Sequence, residues 1–114
     1  MNVKMFGEIC DAFGPSGFEE DVIRTVAKYC KGLENDAMNN LYARMPGEDP
    51  EKPVVMLDAH TDECGFMVQS IRENGSLEIL MLGGVIITNL PAHTVMIRTR
   101  SGKLVRGIIS SFYE

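Results

Sequence analysis

Apolar residues recur at helical spacing in the first third of the chain and follow β patterns in the rest. Between residues 3 and 13 they fall every three or four positions, which predicts a short helix over 3–13. Asn2 has the side chain of a good N-cap, and Gly14-Pro15 ends the periodic stretch with two helix-breaking residues. The first predicted element is therefore a short amphipathic helix.

A second helix is predicted over residues 17–31, where apolar positions again recur at helical spacing. Ser16 is followed three residues later by Glu19, the pattern of a capping box, in which each side chain satisfies a free backbone N–H group. Gly32 is suited to end the helix because glycine readily adopts the left-handed conformation. The predicted apolar face comprises Phe18, Val22, Val26 and Tyr29.

The patterns change to β structure after the second helix. Asn39-Asn40 indicates a turn, because asparagine tolerates positive φ, and residues 41–44 read as a short strand. A proline-rich loop over 45–53 leads into residues 54–59, whose apolar side chains are consecutive. Such a run is typical of a strand buried on both faces, so this segment is predicted to be the central strand.

Two hairpins are predicted in the remainder. Strands over residues 66–71 and 77–82 flank a turn around Asn74-Gly75, and strands over 94–99 and 104–110 flank a second turn. The fold class that follows is α/β, with two N-terminal helices followed by mostly antiparallel β structure.

Composition and charge limit the classes of partner that the chain can bind. Apolar residues make up 45% of the 114 residues, as in a globular domain. The net charge of −5 argues against nucleic acid, which is bound by basic patches. No window approaches the roughly 20 apolar residues of a membrane span, and no signal sequence is recognisable. Cys10, Cys30 and Cys64 are odd in number and widely spaced, which indicates reduced thiols and a cytoplasmic protein.

The candidate chemistry lies at the end of the predicted central strand, where one imidazole and three carboxylates are clustered. On a strand, Asp58, His60 and Asp62 would share a face, with neighbours about 6.5 Å apart. That spacing favours His60 as a metal ligand and Asp62 as the carboxylate that accepts its other ring N–H. Glu63 would reach solvent or a neighbouring element. The alternative is an ordinary hydrogen-bonded surface histidine.

Other candidate residues are interpreted as structural. His93 follows Pro91-Ala92 at the start of a strand, far along the chain, and is taken as a structural or surface residue. Cys64 is isolated and is expected to be a small buried hydrophobic residue. The sequence contains neither a nucleophile elbow nor a phosphate-binding glycine loop.

Residues 57–68 resemble the metal-ligand strand of the tetrahedral, deblocking and glutamyl-type aminopeptidases, a family of two-metal exopeptidases once also labelled as cellulases. They match every fixed position of that family's Ala-His-x-Asp-Glu-x-Gly-Phe motif. Residues 13–20 resemble its Pro-Ser-Gly-x-Glu segment. Residues 36–41 resemble its Asp-x-x-x-Asn-Leu turn, with Asn39 where glycine is usual. Gly83-Gly84 and residues 94–110 resemble the entry into its inserted β domain.

This resemblance implies a specific architecture and site. Residues 1–70 would belong to the peptidase catalytic domain, with a mixed sheet of the phosphorylase/hydrolase-like type. Residues 71–114 would begin an inserted antiparallel β-barrel domain. His60 would be the first ligand to one of two divalent ions, zinc or cobalt, and Asp62 would be the catalytic-site carboxylate that orients it.

The resemblance also implies that the remaining ligands and the general base lie outside these 114 residues. The family hydrolyses N-terminal residues from peptides, so a peptide is the implied substrate. The chain alone is expected to be inactive and to bind metal weakly. A second hypothesis is a non-catalytic remnant that acts by assembling with itself or with a full-length relative. Exposure of the 54–59 strand would favour a homo-oligomer.

Overall fold

The computed structural model describes residues 2–110, which form two compact units divided between Gly83 and Gly84. The first unit contains both helices and two small sheets, and the second contains a single hairpin. Among these residues no helix is long and apolar enough to cross a membrane.

Helix α1 spans Val3–Cys10 and begins as the sequence predicts. The Asn2 side chain accepts a hydrogen bond from the Met5 backbone N–H, with Oδ1 and N 3.1 Å apart. The helix ends three residues earlier than predicted. The Ala12 N–H turns to the carbonyl of Ile9, three residues back, which tightens the last turn and ends the α-helical pattern.

Helix α2 spans Glu20–Tyr29, so the predicted range of 17–31 is too long at both ends. The predicted capping box is wrong: Glu19 occupies the N-cap position, and no side chain caps the helix. The Glu19 carboxylate instead accepts the Gly17 N–H at 2.6 Å. At the other end Cys30 is already extended, so Gly32, with φ of +74°, lies in the turn beyond the helix.

The interior of the first unit is small. Val22 and Ile23 of α2 are buried, with 4% and 9% of their surface exposed, and Thr25 lies beside them. The Thr25 hydroxyl donates to the Asp21 carbonyl at 2.8 Å, so its burial leaves no unsatisfied polar atom. Lys28 forms an ion pair with Glu8 that links α2 to α1 at 3.6 Å.

Strands β1 (Glu34–Asn35) and β2 (Leu41–Tyr42) form an antiparallel pair around the predicted turn. The turn is confirmed: Asn39 has φ of 64°, in the left-handed region that asparagine tolerates. The Asp36 carboxylate accepts the backbone N–H groups of Met38 and Asn40 at 2.9 Å. The strand predicted over 41–44 is shorter than expected, and its partner β1 was not predicted because both its residues are polar.

Strands β3 (Gly65–Ile71) and β4 (Leu77–Leu82) form the predicted hairpin, paired from Gly65 opposite Leu82 to Ile71 opposite Leu77. A register shift between Val68 and Ser70 leaves Gln69 as an extra residue, a β-bulge. Gly75 has φ of +83° in the turn, as the Asn-Gly pattern requires.

The second unit contains strands β5 (Thr94–Arg98) and β6 (Leu104–Ile108), again an antiparallel pair at the predicted place. A short 3-10 turn over Ile87–Asn89 precedes them. Gly107 lies against Ile97, where a Cβ atom would come within 2.8 Å of the Ile97 Cδ1 atom. A side chain at this position would therefore require the end of the Ile97 side chain to shift.

The prediction of a central strand over residues 54–59 is wrong for this structure. The segment has no regular secondary structure, and its four leading apolar side chains, Val54, Val55, Met56 and Leu57, are 81–96% exposed. A β-strand forms only by backbone pairing with a neighbouring strand, and no described segment pairs with this one. The sheets within residues 2–110 are three separate antiparallel pairs, and no mixed sheet is formed among them.

Candidate functional site

The candidate site lies in the irregular segment that leads into β3. The His60 ring nitrogen Nδ1 lies 3.1 Å from Oδ1 of Asp62 and 3.0 Å from the Asp62 main-chain carbonyl oxygen. A carbonyl oxygen can only accept a hydrogen bond, so Nδ1 must carry the ring proton. In the neutral ring, Nε2 then keeps its lone pair. Because the His60 side chain is 86% exposed, this lone pair is accessible to a ligand.

This contact arises differently from the way the sequence suggests. On a regular strand His60 and Asp62 would stand about 6.5 Å apart along one face. The segment is not a strand, and in its irregular backbone the imidazole contacts both the side chain and the carbonyl of Asp62. Asp58 is exposed and, within residues 2–110, makes no hydrogen bond or ion pair. The structure therefore brings together two of the clustered side chains and leaves Asp58 aside.

Glu63 joins the candidate segment to the loop between α1 and α2, and this contact was not predicted. Its backbone N–H donates to the Gly14 carbonyl at 2.8 Å, and its Oε1 accepts the Gly14 N–H at 3.2 Å. An isolated parallel bridge pairs Pro15 with Glu63 at the same place. The two partners lie 49 residues apart in sequence, so no local pattern links them.

Two glycines allow this close approach. A Cβ atom on Gly14 would come within 2.4 Å of Cγ2 of Val22, and one on Gly65 within 2.9 Å of Cβ of Pro15. Gly14, Pro15 and Gly65 are all buried, although glycine and proline are ordinarily turn residues at the surface. Their burial distinguishes them from the turn glycines, but it is not visible in the sequence.

An open depression of about 360 Å³ lies beside this junction. It is lined by Ile9, Cys10, Ala12, Val22, Thr61 and Glu63. Its lining is mostly apolar, and neither His60 nor Asp62 belongs to it. The depression is therefore a feature of the helix packing and does not enclose the candidate chemistry.

The predictions about neighbouring residues have different outcomes. Cys64 was expected to be buried and is exposed, because the chain turns there into β3 with the thiol beside Gly83. His93, which was interpreted as a structural or surface residue, is exposed, and within residues 2–110 only its main chain forms hydrogen bonds, with the Leu90 carbonyl and the Ile109 N–H. All three cysteines are free thiols, also as predicted.

The side chains at the candidate site can supply one of the several ligands that a metal ion needs. Zinc is held by three or four protein ligands, and the described part of the chain contains no group of three or more histidine, cysteine, aspartate or glutamate side chains that could hold an ion. His60 satisfies the requirements of a single ligand, with an exposed Nε2 and a carboxylate on the opposite ring nitrogen. The residues present do not make a complete metal centre.

Comparison with known proteins identifies the class: the relatives and solved structures that this chain resembles are aminopeptidases. Residues 39–113 match the model of the M42 glutamyl aminopeptidase family. The chain belongs to this family.

Among its curated relatives, the chain is 33% identical to the putative aminopeptidase FrvX of Escherichia coli (strain K12) over 115 residues, which cover 97% of this chain and 32% of the relative. It is 30% identical to the lysyl aminopeptidase of Pyrococcus furiosus over 108 residues, 88% of this chain and 30% of that protein.

A solved structure shares the fold. The TET aminopeptidase from the archaeon Thaumarchaeota archaeon SCGC AB-539-E09 matches 96% of this chain and 31% of its own, with a TM-score of 0.85 and 34% identity. The chain thus spans about a third of the length of the relatives that it matches.

Proposed function

We propose that this chain is the N-terminal portion of a metal-dependent aminopeptidase that removes N-terminal residues from peptides. The observation that carries the proposal is the His60–Asp62 pair, which holds the ring proton on Nδ1 and directs the Nε2 lone pair to solvent. Family membership supports it, as do the names of the relatives, which are aminopeptidases. Residues 1–70 would belong to the catalytic domain and its mixed sheet, and 71–114 to the start of an inserted β-barrel domain.

In this proposal His60 supplies one ligand to one of two divalent ions, zinc or cobalt, and Asp62 fixes the ring tautomer. The other ligands and the general base would come from the part of a family-length chain that these residues do not cover. A cytoplasmic location is part of the same proposal and is supported by the three free thiols.

The 114-residue chain by itself is proposed to lack peptidase activity and to bind metal weakly. A single imidazole with one carboxylate behind it leaves a zinc ion short of protein ligands. No step of the reaction is assigned to these residues beyond holding one ligand position.

Zinc titration of the purified chain, followed by NMR of the ring nitrogens, tests the ligand role. The expected result is a weak, saturable shift at Nε2 of His60, with Nδ1 still protonated, that disappears in His60→Ala. His93→Ala is the matched control, because His93 is also exposed and should leave the shift unchanged. Failure of zinc to perturb His60 would overturn the ligand assignment.

A parallel assay tests the activity. The purified chain, with zinc or cobalt added, should release no N-terminal residues from peptides. Release that is abolished in His60→Ala would contradict the proposed inactivity. Intact mass and metal content, measured on protein purified without chelators, would define the sample in both experiments.

The second candidate function is self-association through an exposed apolar segment, in a non-catalytic module. Four consecutive apolar side chains over residues 54–57 are 81–96% exposed, and contiguous apolar surface favours association. Light scattering at high concentration should give a mass above that of a monomer, reduced in Leu57→Asp. Met38→Asp is the control, because Met38 is 84% exposed but stands apart from this segment in sequence. A monomeric mass would contradict self-association.

A further inference from the structure

We propose that Glu63 is a positioning residue: its junction with Gly14 holds the peptide plane that fixes the proton of His60. The importance of that proton for a metal ligand rests on the proposed function, whereas the positioning itself does not. The proposal concerns the peptide group between Asp62 and Glu63, which takes part in hydrogen bonds on both of its sides.

The two sides of this peptide group have different partners. Its carbonyl, from Asp62, lies 3.0 Å from the His60 ring nitrogen Nδ1. Its N–H, from Glu63, donates to the Gly14 carbonyl at 2.8 Å. A peptide group is planar and nearly always trans, so its C=O and N–H point in opposite directions and turn together. Holding the N–H on Gly14 therefore fixes the direction of the carbonyl that receives the ring proton.

The Glu63 side chain completes the junction. Its Oε1 accepts a hydrogen bond from the Gly14 N–H, while the Gly14 carbonyl accepts one from the Glu63 N–H. Both main-chain polar groups of Gly14 are therefore bonded to Glu63. Gly14 is buried, and a buried N–H without an acceptor is costly. Without the carboxylate, Gly14 would have to move toward water, and the peptide group bonded to it would move as well.

Packing on either side limits alternative positions. Because glycine has no side chain, the backbone at Gly14 lies directly against Val22, and the backbone at Gly65 lies against Pro15. At Gly14 there is no space for a further carbon atom. Gly65 begins β3, and Gly14 lies in the loop between α1 and α2, so the junction ties this loop to the start of the strand. The peptide plane of Asp62 and Glu63 is thereby held between the loop that joins the two helices and the start of β3, and His60 is oriented through it.

The consequence for His60 is a choice between two tautomers. With the carbonyl fixed, Nδ1 faces two acceptors and carries the proton, so Nε2 keeps the lone pair that a metal requires. If the plane turns, one acceptor is lost, and the tautomer with the proton on Nε2 gains population. That tautomer cannot ligate through Nε2.

The test uses the 114-residue chain without metal, labelled with nitrogen-15, at a pH of about 8, above the reference pKa of imidazole side chains in model peptides. Long-range proton–nitrogen correlation gives the fraction of His60 protonated at Nδ1, and hydrogen exchange gives the protection of the Gly14 N–H. Glu63→Ala should increase Gly14 exchange about tenfold and shift His60 toward the Nε2-protonated tautomer. Glu63→Gln retains an acceptor oxygen and should restore both readouts.

Glu73→Ala is the matched control, because Glu73 is an exposed glutamate with no hydrogen bond or ion pair within residues 2–110. It should leave both readouts unchanged. A Glu63→Ala variant that loses stability but keeps the wild-type tautomer would reduce Glu63 to a structural residue and overturn the proposal.

If Glu63→Ala does not fold, the unsubstituted chain still decides the question. Scalar couplings transmitted across hydrogen bonds should connect the Glu63 amide nitrogen to the Gly14 carbonyl carbon, and the Gly14 amide nitrogen to the Glu63 carboxylate carbon. Absence of both couplings would overturn the proposal. A tautomer that responds to Glu63, in a chain whose His60 is not perturbed by zinc, would leave the positioning intact and refute only the metal-ligand role.

Discussion

Replacement of Gly14 by alanine tests how tightly the loop between the two helices packs against α2. The added Cβ atom would come within 2.4 Å of Cγ2 of Val22, a side chain that is 4% exposed and therefore has little room to move. Overpacking of this kind costs about 1–3 kcal/mol. The lower entropy of the unfolded alanine chain offsets about 0.4–1 kcal/mol of that. The middle values of the two ranges give an expected net loss of unfolding free energy of about 1.3 kcal/mol.

The assay is thermal and urea unfolding followed by the far-ultraviolet helical signal, since both α-helices belong to the first unit. A loss of this size should lower the midpoint temperature on the order of 5–15 °C for a unit of this length. Gly7→Ala is the matched control. No atom lies within 4 Å of a Cβ at Gly7, inside α1, so that variant should gain about 0.5–1 kcal/mol.

The double variant Gly14→Ala with Val22→Ala identifies the clash as the cause. Removing both γ-carbons of Val22 should make the two substitutions less destabilising together than their sum, by at least about 0.5 kcal/mol. The reasoning would be refuted if Gly14→Ala were as stable as Gly7→Ala, or if the two substitutions were simply additive.

Three further predictions concern the turn at Asn39 and helix α2. Asn39→Ala should destabilise the turn by about 1 kcal/mol because φ is 64° there, whereas Asn39→Gly should not; equal unfolding curves would contradict this. The pKa of Asp36 is lowered from its ordinary 3.8, chiefly by the hydrogen bond from the Asn40 side chain. The stability that the ionised carboxylate contributes is therefore fully present above pH 3.8, and it is lost as the pH falls through the lower pKa of the folded state. Amide shifts of the turn should therefore titrate below 3.8, and a midpoint at or above it would refute the assignment. Thr25→Val should lower the free energy of unfolding in urea by no more than about 1.5 kcal/mol. The Asp21 carbonyl, to which the hydroxyl donates, also accepts a main-chain hydrogen bond of the helix and so does not lose its only donor. A larger loss would mean that the hydroxyl has another role.

The elements best predicted from sequence are those whose signals are local. The β3–β4 hairpin follows from an Asn-Gly turn between two apolar strands, and both strands are found where predicted. The N-cap at Asn2 is equally local. The predicted capping box is wrong because a competing local hydrogen bond forms, in which the Glu19 carboxylate accepts the Gly17 N–H.

The elements that were missed depend on residues distant in sequence. The apolar run over 54–59 has the composition of a buried strand, but a strand exists only with partners, and none of residues 2–110 pairs with it. At the candidate site, the motif pointed to His60 and Asp62, which the structure brings into contact. Their support by Gly14 and Glu63 could not be inferred, because 49 residues separate the two partners.

The carbonyl that receives the His60 ring proton belongs to the main chain, so every amino acid at position 62 supplies it. Alanine scanning would remove the Asp62 carboxylate but leave this second acceptor in place, and would therefore underestimate how firmly the ring is held. Substitutions that move the backbone, at position 14 or 65, would disturb the imidazole more than their distance in sequence suggests. A mutational survey of this chain should then find its most sensitive positions among residues that carry no functional group.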